Sequence, residues 1–244
     1  MTDIAGFSPL ELTGRTRSHV VDLAEPRCTL HKGVVGPFLG LRAAAARAGI
    51  DIVPQSSFRD FRRQQQIWNG KCRGERDLLD RNGAKVDPAT LEEDSLVTAI
   101  LQWSALPGAS RHHWGTDLDV IDAAALPPGS AARLQPEEYA PGAIFGPLDR
   151  WLDEHAAEFG FYRPYTTDRG GVRPEPWHLS YAPLAQQALS AFSIELLQEA
   201  LQAEGIDALR AVRNRLPEIV ERYVLNVDPP PLRAGNAIAR TRLA

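Results

Sequence analysis

Two histidines and three aspartates fall within fifteen residues, "GASRHHWGTDLDVID", Gly108 to Asp122. The whole chain holds six histidines in 244 residues, so an adjacent pair beside carboxylates is either a solvated turn or part of a site. A second stretch, "PEPWHLSY", brings Glu175 and His178. His112, Asp119 and His178 together offer two neutral imidazoles and a carboxylate. That donor set, with a fourth position left open, suits a catalytic zinc, whereas structural zinc closes all four positions, usually with thiolates. The two cysteines, Cys28 and Cys72, make no CxxC pair, which argues against a zinc ribbon or a redox motif. Other divalent ions accept the same donors.

Positioning these groups needs a turn and strands. Gly115 is the natural turning point, with His112 before it and Asp119 on the segment after it. "GTDLDVID" alternates, Leu118 and Val120 on one face and Asp117, Asp119 and Ile121 on the other, as a half-buried strand does. Two carboxylates on one face repel unless a cation or donor sits between them. Asp117 therefore either supports the site or is simply exposed. Pro176 rules out a helix interior for Glu175 and His178. "EPWH" is expected extended or bent beside the strand of Asp119, with Trp177 as an apolar wall. His113 reads as a hydrogen-bonded core residue and Asp122 as a cap or solvated. His19, His31 and His155 have no partner pattern.

Around these pieces the pattern alternates between helix and strand. "GPFLGLRAAAARAGI" reads as an alanine-rich helix, with Leu39, Ala43 and Ala46 at helical spacing and Gly49 as the stop. "IDIVPQSSF" reads as a strand. "RDFRRQQQIWNGK" reads as a helix ending near Asn69-Gly70. A polar excursion follows, with a tight turn at Asn82-Gly83 and an N-cap at Asp87-Pro88. "SLVTAILQW" and "AIFGPLDRWLDEHAAEFGF" read as helices, the second stopped by Gly160. "YRPY…GGVRPEPWHLSY" reads as a hairpin turning near Gly170-Gly171. From "PLAQQALSAFSIELLQEALQAEG" onward the pattern is helical, and "VDPPPLRAG" reads as a linker.

Composition sets outer bounds. With 43% hydrophobic and 24% charged residues the chain can bury a sizeable core. Net charge is −4 and no basic stripe is present, which argues against a nucleic-acid partner. "RLPEIVER" and "RAGNAIARTRLA" are the most basic late pieces and read as solvated surface. No run approaches the ~20 apolar residues of a membrane span. The opening "MTDIAGFSPLELTGRTRSHV" lacks the pattern of a secretory signal, so a cytoplasmic location is expected, with periplasmic action only by another route.

These stretches resemble a known family. "SRHHWGTDLDV" is similar to the S-x-H-x-x-G-x-x-x-D signature of the zinc D-alanyl-D-alanine carboxypeptidases and dipeptidases of the VanY type. "EPWH" resembles their E-x-W-H, and "SSFRDFRRQ" resembles a third block with an arginine and, five residues on, a glutamine. The resemblance spans roughly residues 35 to 183. It implies one Zn2+ held by His112, Asp119 and His178, and Glu175 as catalytic base. It also implies Arg59 at the scissile carbonyl or the substrate carboxylate, Ser110 holding the peptide, and Gln64 near the substrate or structural. One departure is visible: Asp117 stands where the family commonly has alanine.

The expected fold is α+β: a small antiparallel sheet carrying the zinc site, helices on its outer face, and a C-terminal helical extension. The expected organisation is a zinc peptidase domain at 1–183, the helical extension at 184–228, and a linker and loose tail at 229–244. The implied activity is D,D-carboxypeptidase cleavage of peptidoglycan peptides or muropeptides. The alternatives are a D-Ala-D-Ala dipeptidase, an L,D-carboxypeptidase or endopeptidase of the same family, or a zinc-binding module without activity. The oligomeric state is not legible.

Overall fold

The structure is a computed structural model describing residues 6–202 and 205–231. The basic piece "RAGNAIARTRLA" and most of the expected tail lie outside the described residues. Helix α1 (Pro9–Leu12) is closed by a reciprocal capping box between Ser8 and Glu11. A hairpin follows, β1 (Val20–Leu23) and β2 (Cys28–His31). Helix α2 (Val35–Arg47) turns Phe38, Leu41 and Ala45 inward. Of the residues noted for their helical spacing, Leu39 is 40% exposed, so the buried face lies one residue over. In so alanine-rich a helix, the one bulky aromatic, Phe38, sets the rotation. Gly49, at φ +79°, ends the segment as expected.

Strand β3 (Ile52–Ser56) leads to α3 (Phe61–Cys72), whose N-cap Asp60 accepts the Arg63 N–H. The helix runs past the expected stop at Asn69-Gly70. Asn69 and Trp68 are held there by the backbone of Gly205 and Asp207, so the tertiary contacts override a weak local stop signal. The polar excursion contains a small hairpin, β4 (Leu78–Leu79) and β5 (Lys85–Val86), turning through Gly83. Asp87 then caps a 3-10 turn over Pro88–Thr90. Helix α4 (Glu93–Leu101) follows, and a second 3-10 turn, Arg111–Trp114, precedes β6 (Asp117–Asp122). Next come α5 (Pro136–Tyr139), α6 (Gly146–His155), β7 (Phe161–Tyr162) and β8 (His178–Tyr181). The C-terminal helices are α7 (Ala182–Ala191), α8 (Ile194–Ala200), α9 (Leu209–Asn214) and α10 (Leu216–Ile219). A wide helical turn over Val220–Leu225 completes them.

The central sheet has the order β3-β6-β8-β7, antiparallel throughout, in keeping with the α+β expectation. Pro54 sits on edge strand β3 beside a bulge, where its missing N–H costs no ladder bond. β7 and β8 form the expected antiparallel pair, joined by the long connection 163–177. Strand β6 corrects the half-buried expectation, because all six of its residues are buried. It is central in the sheet, and both faces are covered.

Two clusters make up most of the core. The first lies between the sheet, α2 and α6, with Phe38, Leu118, Phe145 and Leu179 among its members. The second joins α3 and α4 to the C-terminal helices through Trp68, Ile100, Leu197, Leu216 and Ile219. "RLPEIVER" is therefore not solvated surface: Leu216, Ile219 and Val220 are buried, and only its polar face reaches solvent. Arg215 bridges Glu218 and α4, donating to the Asp94 carbonyl and the Thr98 hydroxyl. Among the described residues, no helix is long and apolar enough to cross a membrane. Cys28 and Cys72 are both free thiols.

Candidate metal centre

The register of the central strands brings the first two groups together. Asp119 of β6 lies directly opposite His178, the first residue of β8. His112 arrives from the 3-10 turn just before β6. That turn ends at Gly115 in the left-handed region, φ +67°. A Cβ there would stand 2.7 Å from the His31 backbone nitrogen and 2.6 Å from Val20. Glycine is thus required both by conformation and by the close approach of β2. His112, Asp119 and His178 each offer one donor atom within 4.8 Å of the others, and all three are buried.

The outward nitrogens of both histidines are already held. His112 Nδ1 donates to the Ser57 carbonyl at 2.8 Å, leaving Nε2 3.3 Å from Asp119 Oδ2. His178 Nε2 lies 2.9 Å from Asp117 Oδ1, leaving Nδ1 3.1 Å from Asp119 Oδ1 and 3.4 Å from Glu175 Oε2. Fixing one ring nitrogen with an acceptor orients the other and raises its basicity, the arrangement metal-binding histidines commonly have. Two such nitrogens and a carboxylate converging on one point fit a zinc ion.

Asp117 is fully buried. It accepts from Arg111 Nε at 2.8 Å, from Thr116 Oγ1 at 2.5 Å and from His178. Arg111 in turn donates to Tyr162 and Ser180. The two carboxylates on one strand face are thus separated by donors: the His178 ring bridges them and Arg111 neutralises Asp117. Burial works against ionisation of Asp117, but Arg111 and His178 hold its pKa far below the usual carboxylate range. Burial also opposes charge on His178. Its hydrogen bonds to Asp117, Asp119 and Glu175 outweigh that and hold its pKa well above the ordinary imidazole value. His112 moves the other way, lowered by burial and by Arg59. Burial raises the pKa of Glu175, with His178 pulling against it.

Arg59 is anchored on the same turn. Its backbone N–H donates to the His112 carbonyl, and its own carbonyl accepts from His113 Nδ1. Its guanidinium reaches Asp119 Oδ2 at 3.5 Å and donates to Gln64 Oε1 at 3.0 Å. Gln64 is fully buried and donates to the Ala105 carbonyl. It therefore holds Arg59 from behind and does not line the pocket. His113 has the core role expected of it. Nδ1–H faces Arg59, so Nε2 is the acceptor for the Gly108 N–H, and burial lowers its pKa to about 3. Asp122 is a buried cap, accepting the Asp51 and Ala124 N–H groups.

A pocket of about 50 Å3 opens beside this cluster. Arg59, Ser110, His112, Glu175 and His178 line it. Trp177 does not. Trp177 lies in the turn that ends where β8 begins, and its ring packs into the core beside Tyr139 while His178 enters the site. The apolar wall comes instead from Trp103, Tyr165 and Tyr223, and the Tyr165 ring meets His178 edge-on at 5.1 Å. Arg111 also reaches the pocket. It sits inside the signature stretch, where a buried partner for Asp117 is the signal that would have found it. Nothing local in the sequence marks Tyr165, Trp103 or Tyr223.

Residues 27–184 match the protein family described as VanY, D-alanyl-D-alanine carboxypeptidase. An uncharacterised protein of Haemophilus influenzae is 38% identical over 122 residues, 49% of this chain and 93% of that protein. A D-alanyl-D-alanine carboxypeptidase of Enterococcus faecalis is 30% identical over 151 residues, 60% of this chain and 46% of that protein. Among solved structures, VanYB in complex with D-alanine-D-alanine shares the fold, with a TM-score of 0.50 at 22% identity over 76% of this chain and 89% of that one.

Proposed function

Because the chain belongs to the VanY D-alanyl-D-alanine carboxypeptidase family, we propose that it is a zinc-dependent D,D-carboxypeptidase that removes terminal D-Ala from bacterial cell-wall peptides. The observation that carries this reading is the convergence of His112, Asp119 and His178 on one point, with Glu175 3.4 Å from His178. The Enterococcus faecalis relative supports the substrate class.

Zinc bound there supplies Lewis acidity, polarising the scissile carbonyl and acidifying the attacking water. Glu175 takes the proton of that water and delivers it to the leaving amine. Burial raises its pKa, which favours the first transfer. Arg59 donates to the carbonyl oxygen as negative charge develops, a role worth ~3–4 kcal/mol per donor in such sites. Gln64 and the His113 ring fix where Arg59 points. Ser110, on the pocket wall, holds the peptide. Tyr165 and Trp103 exclude water around these charges, which strengthens their interactions.

The test is a comparison of kcat/KM for three substrates: a stem pentapeptide ending in D-Ala-D-Ala, the tetrapeptide ending in a single D-Ala, and free D-Ala-D-Ala. The proposal expects the pentapeptide to lead. A preference for the tetrapeptide would make the protein an L,D-carboxypeptidase, and a preference for the dipeptide would make it a dipeptidase. Stoichiometric zinc with no cleavage of any of them would make it a binding module.

A further inference from the structure

The metal centre borders two cavities, and the proposed chemistry uses one of them. The pocket of about 50 Å3 meets it at His112, His178 and Glu175. A second cavity, of about 460 Å3, meets it at Asp119, and Arg59 lines both. The larger one follows edge strand β3 and the turn after it, over residues 54–58, to Arg27 of the β1–β2 connection and Arg63 of α3. The hairpin is held against this wall by the Phe58 N–H, which donates to the Thr29 carbonyl, and by the Thr29 N–H, which donates to Ser57 Oγ.

The larger cavity is one-sided in charge. Arg27, Arg59 and Arg63 line it, and Asp119, the expected zinc ligand, is the one acid among its lining residues. This runs against a chain of 31 acidic and 27 basic residues. Arg63 is near enough to Arg59 for its charge to oppose that of the buried guanidinium. Among the described residues, no carboxylate pairs with the side chain of Arg27 or Arg63, and the acids nearest in sequence are engaged elsewhere. Asp22 holds Arg17 and Thr29, Glu25 faces Arg42, and Asp60 caps α3. An unpaired surface arginine is ordinary, since water solvates it. Two that share a concave wall with a third, beside a reaction centre, make a field that favours anions. Neither is a motif residue of the family resemblance, whose third block supplies Arg59 and Gln64.

The geometry points to Arg27 and Arg63 as specificity residues that bind a carboxylate carried by the peptide substrate on the acyl side of the scissile bond. With the scissile carbonyl at the metal and Arg59, the small pocket suits the departing residue. One water needs roughly 10–15 Å3, so about 50 Å3 takes a small residue and no more. The rest of the peptide lies in the larger cavity, whose volume falls in the ~300–1,000 Å3 range of sites for organic ligands. Arginine's planar fork holds a carboxylate through two parallel hydrogen bonds. The inference rests on the peptidase reading above and narrows its substrates to acidic peptides.

Its test uses the full-length protein and pentapeptides ending in D-Ala-D-Ala, with glutamate or glutamine as the second or third residue. At low salt the unaltered protein should favour glutamate in kcat/KM by about five- to tenfold at one of these positions, mainly through KM. Arg27→Gln and Arg63→Gln should each cut that ratio by about two- to fivefold, the scale of an exposed ion pair, and the double variant should abolish it. Arg63→Glu should reverse the preference, and high salt should shrink it. Both side chains are exposed and unpaired, so the thermal midpoint should stay within about 2 °C, which separates lost recognition from lost fold. Binding is read in parallel on zinc-supplemented Glu175→Ala protein. Turnover with no preference for glutamate at either position, or with a preference that survives in the double variant, would overturn the inference and leave the hydrolytic reading intact. A glutamate preference in binding that the double variant removes, without turnover in the unaltered protein, would do the reverse. No binding of any of these peptides would overturn both.

Discussion

Replacing Asp117 by asparagine removes a charge where no solvent can take its place. Arg111 and Asp117 are 3% and 0% exposed in their side chains and 2.8 Å apart. The carboxylate that neutralises Arg111 also fixes His178 and accepts from Thr116. Breaking a buried pair from one side strands the other charge and typically costs ~3–5 kcal/mol. For a chain of this size each kcal/mol lowers the midpoint by roughly 2–4 °C, so Asp117→Asn should melt about 6–20 °C lower. The assay is thermal or urea unfolding in excess chelator, so that metal affinity does not enter. Arg111→Met and the double variant complete a cycle. The double variant should be less destabilised than the two singles summed, with a coupling of about 2 kcal/mol or more. In a separate titration Asp117→Asn should weaken zinc binding roughly 10–100-fold, as the loss of a histidine's supporting acceptor does. A loss below about 1 kcal/mol together with additive singles would refute the reasoning, because the pair would then be neither desolvated nor coupled.

Three further outcomes follow from the same geometry. Glu175→Gln should retain zinc and lose turnover by about 10²–10⁴-fold, checked by metal analysis beside steady-state kinetics. Gly115→Ala combines a left-handed backbone with a collision against β2, and should cost at least 1–2 kcal/mol in urea unfolding. His31 is pushed below its ordinary pKa by burial and then by His19, and its Nδ1 accepts the Gly33 N–H. The unfolded chain therefore binds more protons than the folded one below about pH 6.5. The stability this contributes is complete above that pH and is lost as pH falls towards the depressed folded value. His31→Asn should flatten that part of the stability–pH curve.

What could be read in advance was what depends on short-range pattern. His112, Gly115 and Asp119 sit within eight residues, and Pro176 forces Glu175 and His178 out of a helix, so both halves of the site were legible from spacing and turn chemistry. Asp117 could only be narrowed to two roles, because its partner Arg111 lies on the preceding turn, and whether the two meet depends on how that turn folds. Trp177 was misplaced because it lies in the turn before β8, where only the fold decides that its ring joins Tyr139 in the core while His178 enters the site. Which face of α2 turns inward was not legible, because alanines define no stripe. Tyr223 and the buried face of "RLPEIVER" were illegible for a different reason: they matter only through contacts with α3, α4 and the 163–177 loop, far away in sequence.

The central claim is that His112, Asp119 and His178 form a zinc site that serves hydrolysis. It is tested most directly by quantifying bound zinc in the purified protein while following D-Ala release from a peptide ending in D-Ala-D-Ala, before and after chelator and again after zinc is restored. The account predicts near-stoichiometric zinc, release that stops with chelator and returns with zinc, and loss of both metal and release in His178→Ala. Release that persists at full rate in the metal-free protein, or full zinc occupancy in His178→Ala, would contradict it.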